Sequence, residues 1–211
     1  LRVVLLFVMI ALLDSLTDPL FTLSWTGVVE GGFNFASIVF IFGGGFIMYT
    51  AVKEISHMLV VEDLEDGVGK SEKKTAKQAI IMIVIMNLVF SFDSILSALA
   101  ITKVFFVLAI AIIVSGIGMY VLADRVAEFI ERNRKYEVLG MFILLIVGIV
   151  LLGEGGQAAA HALHDQSLAL RFFGYEVVPM SKSTFYFSIA VLVLVDIIQT
   201  GYQKKLDKER D

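Results

Sequence analysis

Asp93 is the residue with the most chemistry within its reach. It stands in Asn87-Leu-Val-Phe-Ser-Phe-Asp93-Ser94-Ile-Leu-Ser97, inside a long apolar block that holds no lysine or arginine. An ionisable group at bilayer depth costs about 2.5–3.5 kcal/mol, so it faces a bundle interior or a cavity. On a straight helix Asn87, Ser91, Ser94 and Ala98 share one face; Asp93 adjoins Ser94, and Ser97 follows four residues on. A carboxylate, an amide and hydroxyls on neighbouring faces form an all-oxygen environment. Such a set suits a hard or intermediate cation, Mg²⁺, Ca²⁺ or Mn²⁺, better than a soft one. Two readings stand: a cation ligand or proton carrier, or a helix–helix hydrogen-bond cluster with Asp93 protonated or paired. The lack of any basic residue in the middle of a span favours the first.

Two more acids belong with it. Asp196 lies in the last apolar block, with Gln199 and Thr200 three and four residues on and so on its own helix face. Glu154 closes the fifth block within Gly153-Glu154-Gly155-Gly156, where a helix can break and re-aim the carboxylate. Asp14, near the end of the first block, reads as interfacial. His161 and His164 are spaced to share a helix face beside Asp165; a solvated pair and an outer metal site are the two readings.

Other chemistry is excluded by what the chain lacks. With no cysteine there is no disulfide, zinc–thiolate site or cysteine nucleophile. No GxxxxGK[ST] run binds nucleotide phosphates. Neither HExxH nor GxSxG occurs, so intramembrane hydrolysis has no signature and no enzyme is expected. A net charge of −4, with both signs confined mostly to the gaps between apolar blocks, offers no face to nucleic acid.

The elements that must position these acids are membrane helices. The chain has 211 residues and is 58% hydrophobic, against about 45–50% for soluble domains. The excess falls in blocks of roughly 17–25 residues, the length that crosses a bilayer as a helix. Spans are expected over about 1–16, 35–56, 78–102, 104–124, 137–153 and 183–202, giving an all-α polytopic membrane helix bundle of about six spans. The opening apolar run, too short to cross at 1.5 Å per residue, reads as the later part of a helix, so a seventh, earlier span is expected. The whole of 1–211 reads as a single transmembrane domain with the lipid bilayer as its first partner.

With the N-terminus inside, all of the 17 basic residues but Lys103, Arg171 and Lys182 fall on the cytoplasmic side, as the positive-inside bias requires. The mixed-charge stretch 57–77, with Glu62, Asp63, Glu65 and Asp66 ahead of Lys70, Lys73 and Lys74, is then a solvated cytoplasmic linker. Residues 157–182 form a long extracytoplasmic loop, and 17–34 a shorter one with turn signals at Asp18-Pro19 and Glu30-Gly31-Gly32. Gly43-Gly44-Gly45, in mid-span, permits either close helix packing or local unwinding that exposes carbonyl oxygens.

Several of these stretches, in order, resemble the TerC family of bacterial membrane proteins, named for an association with tellurium resistance. Asn87–Ser97 is similar to the family's D-[IL]-V-F-S-[LF]-D-S motif. Phe42-Gly-Gly-Gly-Phe-Ile-Met-Tyr-Thr-Ala-Val-Lys53-Glu54-Ile resembles its glycine-rich span ending in Lys-Glu. Thr17-Asp18-Pro19-Leu-Phe-Thr22 resembles its T-E-P-L-F, and Leu151–Gly155 its L-L-x-E-G. Asp196 falls where the family carries an acid in its last span. The family's earlier span with E-x-x-L-[GS]-x-D-N, an inverted counterpart of the Asp93 stretch, has no copy here, and Asn87 stands where many members carry an acid.

The resemblance implies a metal-ion transporter fold related to the LysE-type exporters, in the bacterial inner membrane, with manganese efflux as the activity. Asp93, Ser94, Asn87, Asp196 and Glu154 are the expected metal-binding residues, with a divalent metal ion as transported substrate and no required cofactor. Paired motifs of opposed topology imply alternating access, and proton uptake at the same carboxylates would drive export. A different class of function is a membrane assembly or metal-delivery factor for exported proteins; homo-oligomers or the exported-protein machinery would then be partners. An anion carrier would need basic residues in its core, and none is placed there.

Overall fold

The computed structural model describes residues 2–11, 18–25, 27–62, 76–102, 104–133 and 135–210. Asp14 and the charged run 63–75, the heart of the expected linker, lie outside the described residues. In chain order the helices are α1 (Arg2–Ala11), α2 (Phe35–Glu62), α3 (Ala76–Ile101), α4 (Phe105–Arg132), α5 (Lys135–Leu163) and α6 (Lys182–Arg210). Strands β1 (Pro19–Trp25) and β2 (Val29–Asn34) precede α2, and β3 (Arg171–Phe172) and β4 (Tyr175–Glu176) lie between α5 and α6. A short 3₁₀ turn, Gln166–Leu168, leads into β3.

Among the described residues five helices are long and apolar enough to cross a membrane: Phe35–Met58, Lys77–Leu99, Phe105–Arg132, Tyr136–Leu163 and Lys182–Gln199. The first expected span, 1–16, is represented by α1 over Arg2–Ala11; residues 12–17 lie outside the described residues. Large apolar side chains stay exposed along α4 and α6, among them Ile110, Val114, Ile117, Leu194, Ile197 and Ile198. In a soluble protein these would be a liability; around a membrane bundle they are the surface that faces lipid tails.

The bundle is organised by the antiparallel pair α2 and α5, which make the most extensive contact among the described elements. They cross at glycines. A methyl group on Gly44 would stand 2.8 Å from the carbonyl oxygen of Gly148, and one on Gly148 would stand 3.0 Å from that of Gly44. Without a hydrophobic force between helices in lipid, association relies on close van der Waals packing, which small residues permit. The helix runs unbroken through Gly43–Gly45, so the run is not unwound; Gly43 and Gly44 serve packing, and Gly45 does not. Gly43 receives Val89 of α3 in the same manner, and Phe40, Ile47, Val89, Phe92, Ile95 and Leu151 form the buried centre with Leu6 and Met9 of α1.

One end of the bundle carries a feature absent from the sequence expectation. The segments 17–34 and 157–182, read as two loops, build one antiparallel four-stranded sheet in the order β1-β2-β3-β4. Glu30 pairs with Arg171 across β2 and β3, which ties the two segments to the same end, as the charge bias requires of both. The expected boundary also shifts: α5 continues to Leu163, so 157–163 is helix and not loop. Asn34 joins sheet to helices. Buried, it accepts from the backbone N–H (2.8 Å) and hydroxyl (2.9 Å) of Ser37, capping α2, and donates to the Ala158 carbonyl at 3.3 Å.

Candidate functional site

On the sheet side of the bundle α3, α5 and the start of α6 enclose a cavity of about 320 Å³. Asp93 and Ser97 enter it from α3 with Phe90, Glu154 enters from α5 beside Leu151 and Val150, and Lys182 and Tyr186 enter from α6. The i, i+4 spacing of Asp93 and Ser97, and of Lys182 and Tyr186, puts each pair on one helix face. Glu154 lies within electrostatic reach of Asp93, His161 and Lys182. The site therefore joins two carboxylates, a hydroxyl and a phenol from three helices, with one ammonium group at its edge.

The glycines around Glu154 explain how this comes together. Sequence reasoning expects Gly153-Glu154-Gly155-Gly156 to end the span or break it. Instead α5 stays helical through all four, and the glycines thin it where other segments cross. A methyl group on Gly153 would stand 2.6 Å from the Cα of Pro179, and one on Gly156 would stand 2.7 Å from Val177 Cγ1. On another face, Gly155 admits Ile41 of α2 at 2.7 Å by the same measure. The strap 177–181 is thus laid against α5 and pinned by Gln157, whose Nε2 donates to Glu176 Oε1 at 2.6 Å and to the Val177 carbonyl at 3.2 Å. That placement delivers Lys182 to the cavity.

Of the expected metal-binding residues, the cavity brings together Asp93 and Glu154 but not the other three. Ser94 is one residue and about 100° around the helix from Asp93; it is exposed, and its hydroxyl donates to the Phe90 carbonyl at 2.7 Å. Asn87 points elsewhere: its Oδ1 accepts from Arg2 of α1 at 3.1 Å, and its carbonyl accepts from Ser91 at 2.6 Å. Asp196, half-buried on α6, lies fourteen residues beyond Lys182, about 21 Å along the helix, and does not line the cavity. Among the described residues no three acids or histidines gather into a ready-made metal cluster.

Lys182 and Ser97 are the residues that sequence reasoning undervalues. Ser97 was visible four residues beyond Asp93. Lys182 carried a fainter signal, as one of only three basic residues that break the inside bias, standing at the head of a span. The histidines take the solvated reading: both are exposed, and His164 Nδ1 lies 2.9 Å from the His161 carbonyl, bonded to its own helix end. Asp165 caps the 3₁₀ turn, and hydrogen bonds from the Ser167 hydroxyl and backbone N–H hold its carboxyl below the usual range.

A second cavity, of about 250 Å³, opens at the other end between α2 and α3. Tyr49, Thr50, Lys53, Glu54 and Gln78 give it a polar rim. Along α3 the two cavities are separated by Met86–Val89, where Val89 is buried against Gly43.

Fold and site together define a multi-pass membrane helix bundle with a carboxylate-lined cavity between its spans. The chain matches the description "Integral membrane protein TerC family" over residues 1–209, and it belongs to that family. It is 28% identical to the UPF0053 inner membrane protein YgdQ of Escherichia coli (strain K12) over 145 residues, 69% of this chain and 58% of that protein. It is 27% identical to the UPF0053 inner membrane protein YoaE of the same strain over 147 residues, 70% of this chain and 27% of that one. The matched stretch thus covers less than two thirds of these relatives' own length. No solved structure gives a significant match. The chain is a multi-pass inner-membrane protein.

Proposed function

We propose that this chain is the working part of a secondary transporter that exports divalent cations, with Mn²⁺ the foremost substrate. The observation that carries the reading is the convergence of Asp93 and Glu154, from different helices, on one cavity. Two carboxylates with hydroxyl and water oxygens match the coordination of a hard or intermediate divalent ion. Alternating access is supported by two cavities at opposite ends with a packed constriction at Val89 between them. The cation enters from the Lys53–Glu54 end, passes to the carboxylate pair as the constriction shifts, and leaves on the sheet side. Protons taken up by the same carboxylates supply the coupling, since a protonated pair holds the metal less well. The protein needs no cofactor and performs no covalent chemistry.

The test is cellular manganese in a host lacking its own exporters, expressing wild type or Asp93→Asn. Wild type should lower manganese and the variant should not, with equal amounts in the membrane. Retained export by the variant would sink the carboxylate route. A second reading, metal delivery to exported proteins, is favoured by the sheet, whose β1 is exposed along its whole length with Phe21, Leu23 and Trp25 uncovered. It would make function sensitive to substitutions on β1 and tolerant of Asp93→Asn.

A further inference from the structure

We infer that Lys182 is a tethered counter-ion for the Asp93–Glu154 pair and sets how tightly the cavity holds a divalent cation. The inference deepens the transport reading above and rests on it. Lys182 lines the same cavity as both acids, and its charge acts on Glu154 together with that of Asp93. Ionisable groups in a membrane bundle face its interior or a cavity and interact with one another there. The backbone at Lys182 is held near the carboxylates, because the strap before it is seated on Gly153 and Gly156 and tied to Gln157.

The side chain is different. Lys182 is exposed, at the first residue of α6, and its ammonium sits on a flexible four-carbon stem that can reach the interface. Two ionised carboxylates and one ammonium leave the site one charge short of neutral. A divalent cation entering beside that ammonium meets a like charge at close range, so the lysine must swing out as the metal binds. Its return competes for the same oxygens and favours release on the sheet side. Lys182 is a positioning residue in this scheme: it tunes the occupancy of the carboxylates and does not ligate metal.

The experiment measures Mn²⁺ binding to the full chain in nanodiscs, by the loss of the free-ion electron paramagnetic resonance signal. Wild type, Lys182→Gln, Lys182→Arg and Asp93→Asn are compared. Lys182→Gln should bind roughly threefold to tenfold more tightly, the scale of one unit charge removed from a partly solvated site, and should export more slowly. Lys182→Arg, which keeps the charge, should bind like wild type. Unchanged or weaker binding in Lys182→Gln, with Asp93→Asn still losing the ion, overturns the counter-ion role alone. Wild type that binds no better than Asp93→Asn overturns both this role and the cation-site reading beneath it.

Discussion

Gly44 of α2 and Gly148 of α5 meet with each residue's would-be methyl group within about 3 Å of the other's carbonyl oxygen. Gly45, the next residue, faces open space with nothing within 4 Å of such a group. The contrast separates packing from glycine content, since both residues lie in one run. Gly44→Val should lower stability by about 1–3 kcal/mol, the usual penalty of overpacking, while Gly45→Ala should be neutral or slightly stabilising. Thermal unfolding in detergent, followed by loss of the monodisperse elution peak, checks both.

The cavity discriminates between two serines of the same motif. Ser97 lines it with Asp93, whereas Ser94 lies outside it and donates to the Phe90 carbonyl. Ser97→Ala is expected to weaken Mn²⁺ binding several-fold, and Ser94→Ala to leave it unchanged. Equal effects in titrations of the two purified variants would show that the cavity is not where the cation sits.

Arg2 and Asn87 give the departure at position 87 a structural meaning. The 3.1 Å bond from the guanidinium to Asn87 Oδ1 fastens α1 to α3 and lies on a different face from Asp93. Hydrogen bonds to charged groups are worth about 1.5–3 kcal/mol. Asn87→Leu should therefore cost about that much stability, while Asn87→Asp should preserve it through an ion pair with Arg2. Export should change little in Asn87→Asp, and a changed ion preference in a competition assay would contradict this placement.

The joined sheet makes the orientation testable with few labels. Cysteines introduced for the exposed residues Ser24 and Ser167 should react with an impermeant thiol reagent from the same side, the outside. One replacing Lys77, at the other end of α3, should react only after the membrane is opened. Labelling of Ser24→Cys and Ser167→Cys from opposite sides would be incompatible with the pairing of β2 and β3.

What the sequence by itself determined is the class of the protein and which acids stand inside its apolar blocks. Apolar blocks of bilayer length, and a basic bias on alternate gaps, follow from how each residue partitions between water and lipid, which is a local property. The cost of Asp93 in an apolar block is local too, so it stands out as a candidate without any fold. Which groups join it was not. Helical spacing placed Ser97 on its face, but only the seating of the strap on Gly153 and Gly156 brings Lys182 and Glu154 to the same cavity. Helix rotation and crossing turned Asn87 toward Arg2 and left Asp196 ten residues, about 15 Å, along α6 beyond Tyr186, the last residue of that helix to line the cavity. Glycine was the least legible signal: a run of glycines reads equally as a break or as a crossing, because the difference lies in the neighbour that arrives. Pro179, Val177 and Gly148 are that neighbour here, and they are brought to those glycines from elsewhere in the chain by tertiary packing.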